Sequence, residues 1–160
     1  MDASDLQRAI GRVVLEAAYL ERVLRMAFSA LMGSKYAAVV DNRLMASALI
    51  EDCRRIAEVH SGVSAAEREA LITSLRQCEL VNHARNRAIH DDWACRPGNV
   101  VVTLQSGGSS HEVTVTAQTV SEVDELADRI GSAADQLAAA VAAALGPDNL
   151  RTADQQGRGS

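Results

Sequence analysis

The sequence has 160 residues, 48% hydrophobic and 23% charged, which is one domain's worth of chain, able to bury roughly 70% of its unfolded surface without disulfides. Aromatic residues make up only 2% (Tyr19, Phe28, Tyr36 and Trp93), which excludes a nucleic-acid-binding sheet that stacks bases on rings. The net charge of −5 speaks against a protein that binds phosphate backbones through an extended basic face.

In chain order, the first helix is expected from the capping box Ser4-Asp5-Leu6-Gln7, with Leu6, Ile10, Val13, Ala17, Leu20, Leu24, Ala27, Phe28 and Leu31 stepping by three and four along one face until Gly33. A second helix is predicted from about Asp41 to Val59, stopping at His60-Ser61-Gly62. The third opens on Ser64-Ala65-Ala66-Glu67, another capping box, and carries Leu71, Leu75, Cys78 and Val81 towards Ile89. Pro97-Gly98 breaks the helical pattern. Beyond it, the β-branched runs Val100–Leu104 and Val113–Thr116 flank the turn-forming stretch Ser106–Ser110 and read as a short hairpin. Thr119-Val120-Ser121-Glu122 opens the last helix. It becomes alanine-rich from Ala138 to Ala144, a composition that suits close helix packing, and ends at Gly146-Pro147. The expectation is a mainly α fold: a four-helix bundle with a short β-hairpin between the third and fourth helices. It forms a single domain over 1–147, followed by a disordered tail over 148–160.

Several function classes drop out. The start Met1-Asp2-Ala3-Ser4-Asp5 lacks the basic flank and apolar run of a signal peptide, and the longest uncharged apolar stretch, Leu137–Leu145, is too short for a bilayer. Three cysteines (Cys53, Cys78 and Cys95) are odd in number and have no metal-ligand spacing. A reduced cytoplasmic setting is expected, with no metal, cofactor or membrane partner. No Gly-rich phosphate loop, His-Glu-x-x-His, Cys-x-x-Cys or Gly-x-Ser-x-Gly elbow occurs.

What remains is the polar run that closes the third helix, Asn82-His83-Ala84-Arg85-Asn86-Arg87-Ala88-Ile89-His90-Asp91-Asp92-Trp93. Within it, Arg85-Asn86-Arg87-Ala88-Ile89-His90 is an Arg-Asn-x-x-x-His motif. Here the chain resembles the HEPN superfamily, helical-bundle proteins marked by Arg, four to six residues, then His. Many are metal-independent endoribonucleases, several acting as toxins of toxin–antitoxin modules or in phage defence. The resemblance spans about residues 4–145 and implies Arg85 and His90 as the signature pair, with Asn86 as the polar residue after the Arg. It also implies a homodimer with the active site at the interface, an RNA substrate, and an antitoxin or regulatory protein as partner. Tyr19 and Tyr36 are remote from the motif, so the tyrosine-linked control of some members is not expected.

The same spacing occurs four times: Arg54 or Arg55 with His60, Arg76 with His83, and Arg85 with His90. The last is preferred because Asn86 follows the Arg and further polar groups surround it. Asn82, Asn86 and His90 repeat every four residues, and His83 and Arg87 form an adjacent ridge. Arg85 and His90 are about 140° apart on a straight helix, so both reach one ligand only at a frayed end or across two chains. In the chemistry implied, the RNA 2′-hydroxyl attacks its own phosphate, His90 acts as general acid or base, and Arg85 clamps the transition state without a metal. Arg87, His83 and Asn82 are accessory or RNA-binding candidates.

Glu21 lies inside the apolar arc of the first helix, where an unpaired carboxylate is unfavourable. The simpler reading, to which the sequence leans, is a rim ion pair with Arg25; the other is contact with Arg85 or His90. Two competing functions stand beside the ribonuclease: a non-catalytic HEPN-like helical dimer that binds a protein or nucleotide, and a structural helical subunit. The charge divides unevenly, with 13 basic and 13 acidic residues in 1–98 against 3 and 8 in 99–160. The excess acid therefore lies away in sequence from Arg85 and Arg87, leaving room for a small cationic notch.

Overall fold

The computed structural model describes residues 3–34, 36–41, 44–90, 92–96, 100–106 and 113–147, with the backbone alone over 90–118. Five helices, α1 (Ala3–Met32), α2 (Ala37–Asp41), α3 (Ala46–Val59), α4 (Ala65–His90) and α5 (Val120–Leu145), enclose strands β1 (Asp92–Arg96), β2 (Val100–Ser106) and β3 (Val113–Thr119) in the chain between α4 and α5. The four long helices form a bundle: α5 packs against α1 and α4, and α3 packs against the same two from the other side. Among the described residues no helix is long and apolar enough to cross a membrane.

The apolar periodicity of the sequence becomes the core. Leu6, Val13, Ala17, Leu20, Leu24, Ala27, Phe28 and Leu31 of α1 are buried, with Ile10 partly so, and all but Ala17 belong to one core cluster with Leu71, Leu75, Cys78 and Val81 of α4. Cys53 and Cys78 are buried free thiols whose Sγ atoms donate to the Leu24 and Ala133 carbonyls at 3.9 and 3.7 Å. Burial pushes the Cys78 thiol up to about 12 and the Cys53 thiol further up. Both behave as small hydrophobes. On α5, Ala133 and Ala134 are buried, and within the alanine run Ala138, Ala140 and Ala144 pack against the core while Ala139 and Ala143 face solvent.

Three boundaries differ from the sequence expectation. Ser4 does not cap α1, which is already helical at Ala3. The helix predicted from about Asp41 starts only at Ala46, as α3, because Met45 is extended (φ −76°, ψ 160°), and the short α2, which ends at Asp41, precedes it unpredicted. The Arg25 guanidinium donates to the Leu44 carbonyl at 3.3 Å and fixes that break, a tertiary contact that leaves no local signal. The sheet has three strands in the order β1-β2-β3, both pairs antiparallel, with Trp93 opposite Thr103 and Thr103 opposite Thr116. Its first strand begins within the polar run expected to close the third helix and is not part of the expected hairpin. Residues 107–110 of the expected turn and the expected tail over 148–160 lie outside the described residues.

The other two capping boxes form. Ser64 N donates to Glu67 Oε2 at 2.9 Å while Glu67 N donates to Ser64 Oγ at 3.3 Å. Thr119 and Glu122 do the same at α5. Bonds from Ser64 hold the Glu67 carboxyl below its ordinary 4.5, and those from Thr119 act alike on Glu122. A carboxyl with a depressed folded pKa stabilises the fold above its unfolded pKa and loses that contribution as pH falls through the folded value. The melting temperature is therefore expected to fall as pH drops below about 4.5. In the Glu67→Gln/Glu122→Gln variant, differential scanning calorimetry should show a flatter dependence over that window.

Polar clamps set α1 against α5. Arg12 Nη1 donates to Asp124 at 2.9 Å and Nη2 bonds Asp128; Tyr19 Oη donates to Asp135 at 2.7 Å beneath the Arg22 guanidinium. Three acids of the acidic C-terminal portion thus face α1 and are partnered there. On the same seam, a Cβ placed on Gly131 would stand 2.8 Å from Glu16 Oε2. That oxygen is the far end of a flexible side chain, so Gly131→Ala is expected to gain helix propensity and raise unfolding free energy by about 0.5 kcal/mol. Urea denaturation checks the value.

Candidate functional site

The inward stripe of α4 runs Leu71, Leu75, Cys78, then Asn82, Arg85 and Ile89, so the apolar seam becomes polar at its C-terminal end. Asn82 is 4% exposed, and the Arg85 side chain is 12% exposed. Such a guanidinium needs partners in the protein. Arg85 Nη2 donates to Glu21 Oε1 on α1, and Nη1 donates to Asn86 Oδ1 at 2.9 Å. The carboxylate and amide fix the plane of the fork, and two of its five N–H groups are committed in these bonds. Arg85 Nε and Asn82 Oδ1, a donor and an acceptor three residues apart, are buried and, among the described residues, have no hydrogen-bond partner. Native interiors leave few such groups, and those present cluster where function or strain resides.

Glu21 therefore takes the cross-helix contact rather than the one towards which the sequence leans. It joins α1 to α4 across the bundle. Asn86 is half-buried beside Arg85. His83 and Arg87 are exposed and lie about 160° round the helix from Arg85, so they are not part of this cluster. His90 is the last residue of α4, and its side chain lies outside the described residues, as do Asp91 and the Trp93 side chain.

The two competing spacings that end at His60 have other employment. Arg54 pairs with Glu51 and, at 3.8 Å, with Glu79; Arg55 pairs with Glu51 at 3.0 Å and Asp52 at 4.0 Å. His60 Nδ1 accepts from Gly62 N at 3.1 Å and forms the turn that ends α3.

The signal that separates Arg85 from its neighbours is legible in the chain: it continues the three- and four-residue steps of the buried seam, whereas His83 and Arg87 fall off them. An anchored, mostly buried guanidinium at the end of a helix is suited to holding an anion in a fixed orientation. Among the described residues no three His, Cys, Asp or Glu side chains gather as metal ligands. No protein-family model, curated protein or solved structure matches the chain.

Proposed function

We propose that the protein is a HEPN-type endoribonuclease that cleaves RNA without a metal, acting as a homodimer in the cytoplasm as a toxin or phage-defence effector under an antitoxin or other regulatory partner. One observation carries the reading: Arg85, the residue before Asn86 in the Arg-Asn-x-x-x-His motif, is oriented by Glu21 and Asn86 at the inward end of α4. The 2′-hydroxyl of RNA is the nucleophile. His90 removes its proton or protonates the leaving 5′-oxygen, and the Arg85 fork bears the charge that builds on the phosphate. Asn86 and Glu21 position Arg85. Because α4 stays helical to His90, the 140° between the two residues favours a ligand that bridges two chains, with Arg85 of one facing His90 of the other.

A second reading has its own support. An arginine only 12% exposed and already paired with a carboxylate also suits a pin between α1 and α4 in a non-catalytic dimer that binds a protein or nucleotide. Purified protein incubated with total RNA in EDTA separates the two. The ribonuclease degrades RNA and its His90→Ala variant does not; the binding module leaves RNA intact in both forms.

A further inference from the structure

The outward side of α4 carries cations that the Arg85 cluster does not use. Arg76, Leu80, His83 and Arg87 step by four, three and four residues and share one helix face. The three polar side chains are exposed, and Leu80, 59% exposed, is the apolar centre of the line. From Arg76 to Arg87 the line runs about 16 Å along the helix, and His90 follows in the same register, seven residues after His83. Between Arg76 and His90 the only acid on α4 is Glu79, and it is drawn to Arg54 of α3 at 3.8 Å.

A third arginine flanks the line. Exposed Arg129 of α5, with Gln77, Ser132 and Gln136, borders an open groove of about 170 Å³ between α4 and α5. Asp124, Asp128 and Asp135 are engaged by α1 on the other side of α5. Glu122 and Glu125, near the start of α5, accept from Thr119 and Ser121. Among the described residues, neither Arg76, Arg87 nor Arg129 enters an ion pair.

We propose that this line is the track for the phosphate backbone of a single-stranded RNA, which passes Arg76 and Arg129 and reaches Arg87 at the end of α4 that bears His90. The inference rests on the ribonuclease reading and adds Arg76 and Arg129 as binding residues remote from the chemistry. A straight line of this length spans only a few phosphates, short of the successive grooves that a duplex presents. Arginine forks suit those phosphates.

The test is fluorescence anisotropy of the full-length His90→Ala protein with a labelled single-stranded RNA, which this variant does not cut. Arg76→Glu/Arg129→Glu should weaken binding by at least about tenfold and flatten the salt dependence of log K by about 1.4, for two phosphate contacts at about 0.7 each. Arg8→Glu on α1 should change neither, and the milder Arg76→Gln/Arg129→Gln should shift both in the same direction. Unchanged affinity in both double variants, or no RNA binding at all, would overturn the track. Weakened binding together with a wild-type protein that leaves RNA intact would support the track and remove the ribonuclease.

Discussion

Arg85→Ala is expected to lower RNA cleavage by about 10²–10³-fold, the usual loss when one preorganised donor to a developing oxyanion is removed. The effect should fall on kcat more than on KM, because the fork acts where charge builds in the transition state. Glu21, 37% exposed at its side chain, can hydrate once its partner is gone, so the variant should stay folded. Glu21→Gln keeps an oxygen towards Arg85 but removes its charge; a loss of roughly tenfold is expected, the worth of one charge-assisted hydrogen bond. Steady-state kinetics on a fluorogenic RNA, with circular dichroism as the control for folding, measures both. Equal losses in the two variants together with a lowered melting temperature would mean that Arg85 pins helices and does no chemistry.

Leu137→Ala is expected to destabilise the fold by about 3 kcal/mol, within the range of about 2–5 for buried leucines, and to lower the melting temperature by about 10 °C. Leu137 is fully buried on α5, on the seam of Ile130, Ala134 and Val141, and α5 packs against both α1 and α4. A cavity here therefore loosens the helix shared by both sides of the bundle. Leu15→Ala, at a residue 72% exposed, should change stability by less than about 0.5 kcal/mol. Calorimetry on the pair of variants separates burial from hydrophobicity.

The long helices were legible because each has a period and a boundary in its own residues: Ser64 with Glu67, Thr119 with Glu122, and Gly33 and Gly146 with positive φ at the helix ends. The break at Met45 was not legible. Val39, Val40, Leu44 and Met45 are apolar, with no Gly or Pro among them, and the interruption is held by Arg25 from another helix. Strand β1 was missed because Asp91-Asp92-Trp93 reads as the end of a helix, whereas its pairing partner, Val100–Leu104, lies beyond Pro97-Gly98.

In the site, the motif residues and their relative faces are legible in the spacing, but which of those faces meets the core is a separate question. Arg85 lies on the buried seam and His83 and Arg87 lie off it, a distinction carried by the spacing from Leu71, Leu75 and Cys78. Glu21 was singled out as a carboxylate in an apolar arc, yet its partner is 64 residues away, on a helix whose rotation the local sequence does not state.

The most direct measurement is the chemistry of the RNA ends left by the purified protein in EDTA. Attack by the 2′-hydroxyl, clamped by Arg85 and assisted by His90, yields a 2′,3′-cyclic phosphate and a 5′-hydroxyl, and Arg85→Ala and His90→Ala should each strongly reduce the yield of both. Intact RNA, or 5′-phosphate ends that vanish when EDTA is added, would contradict this function for the Glu21–Arg85–Asn86 cluster.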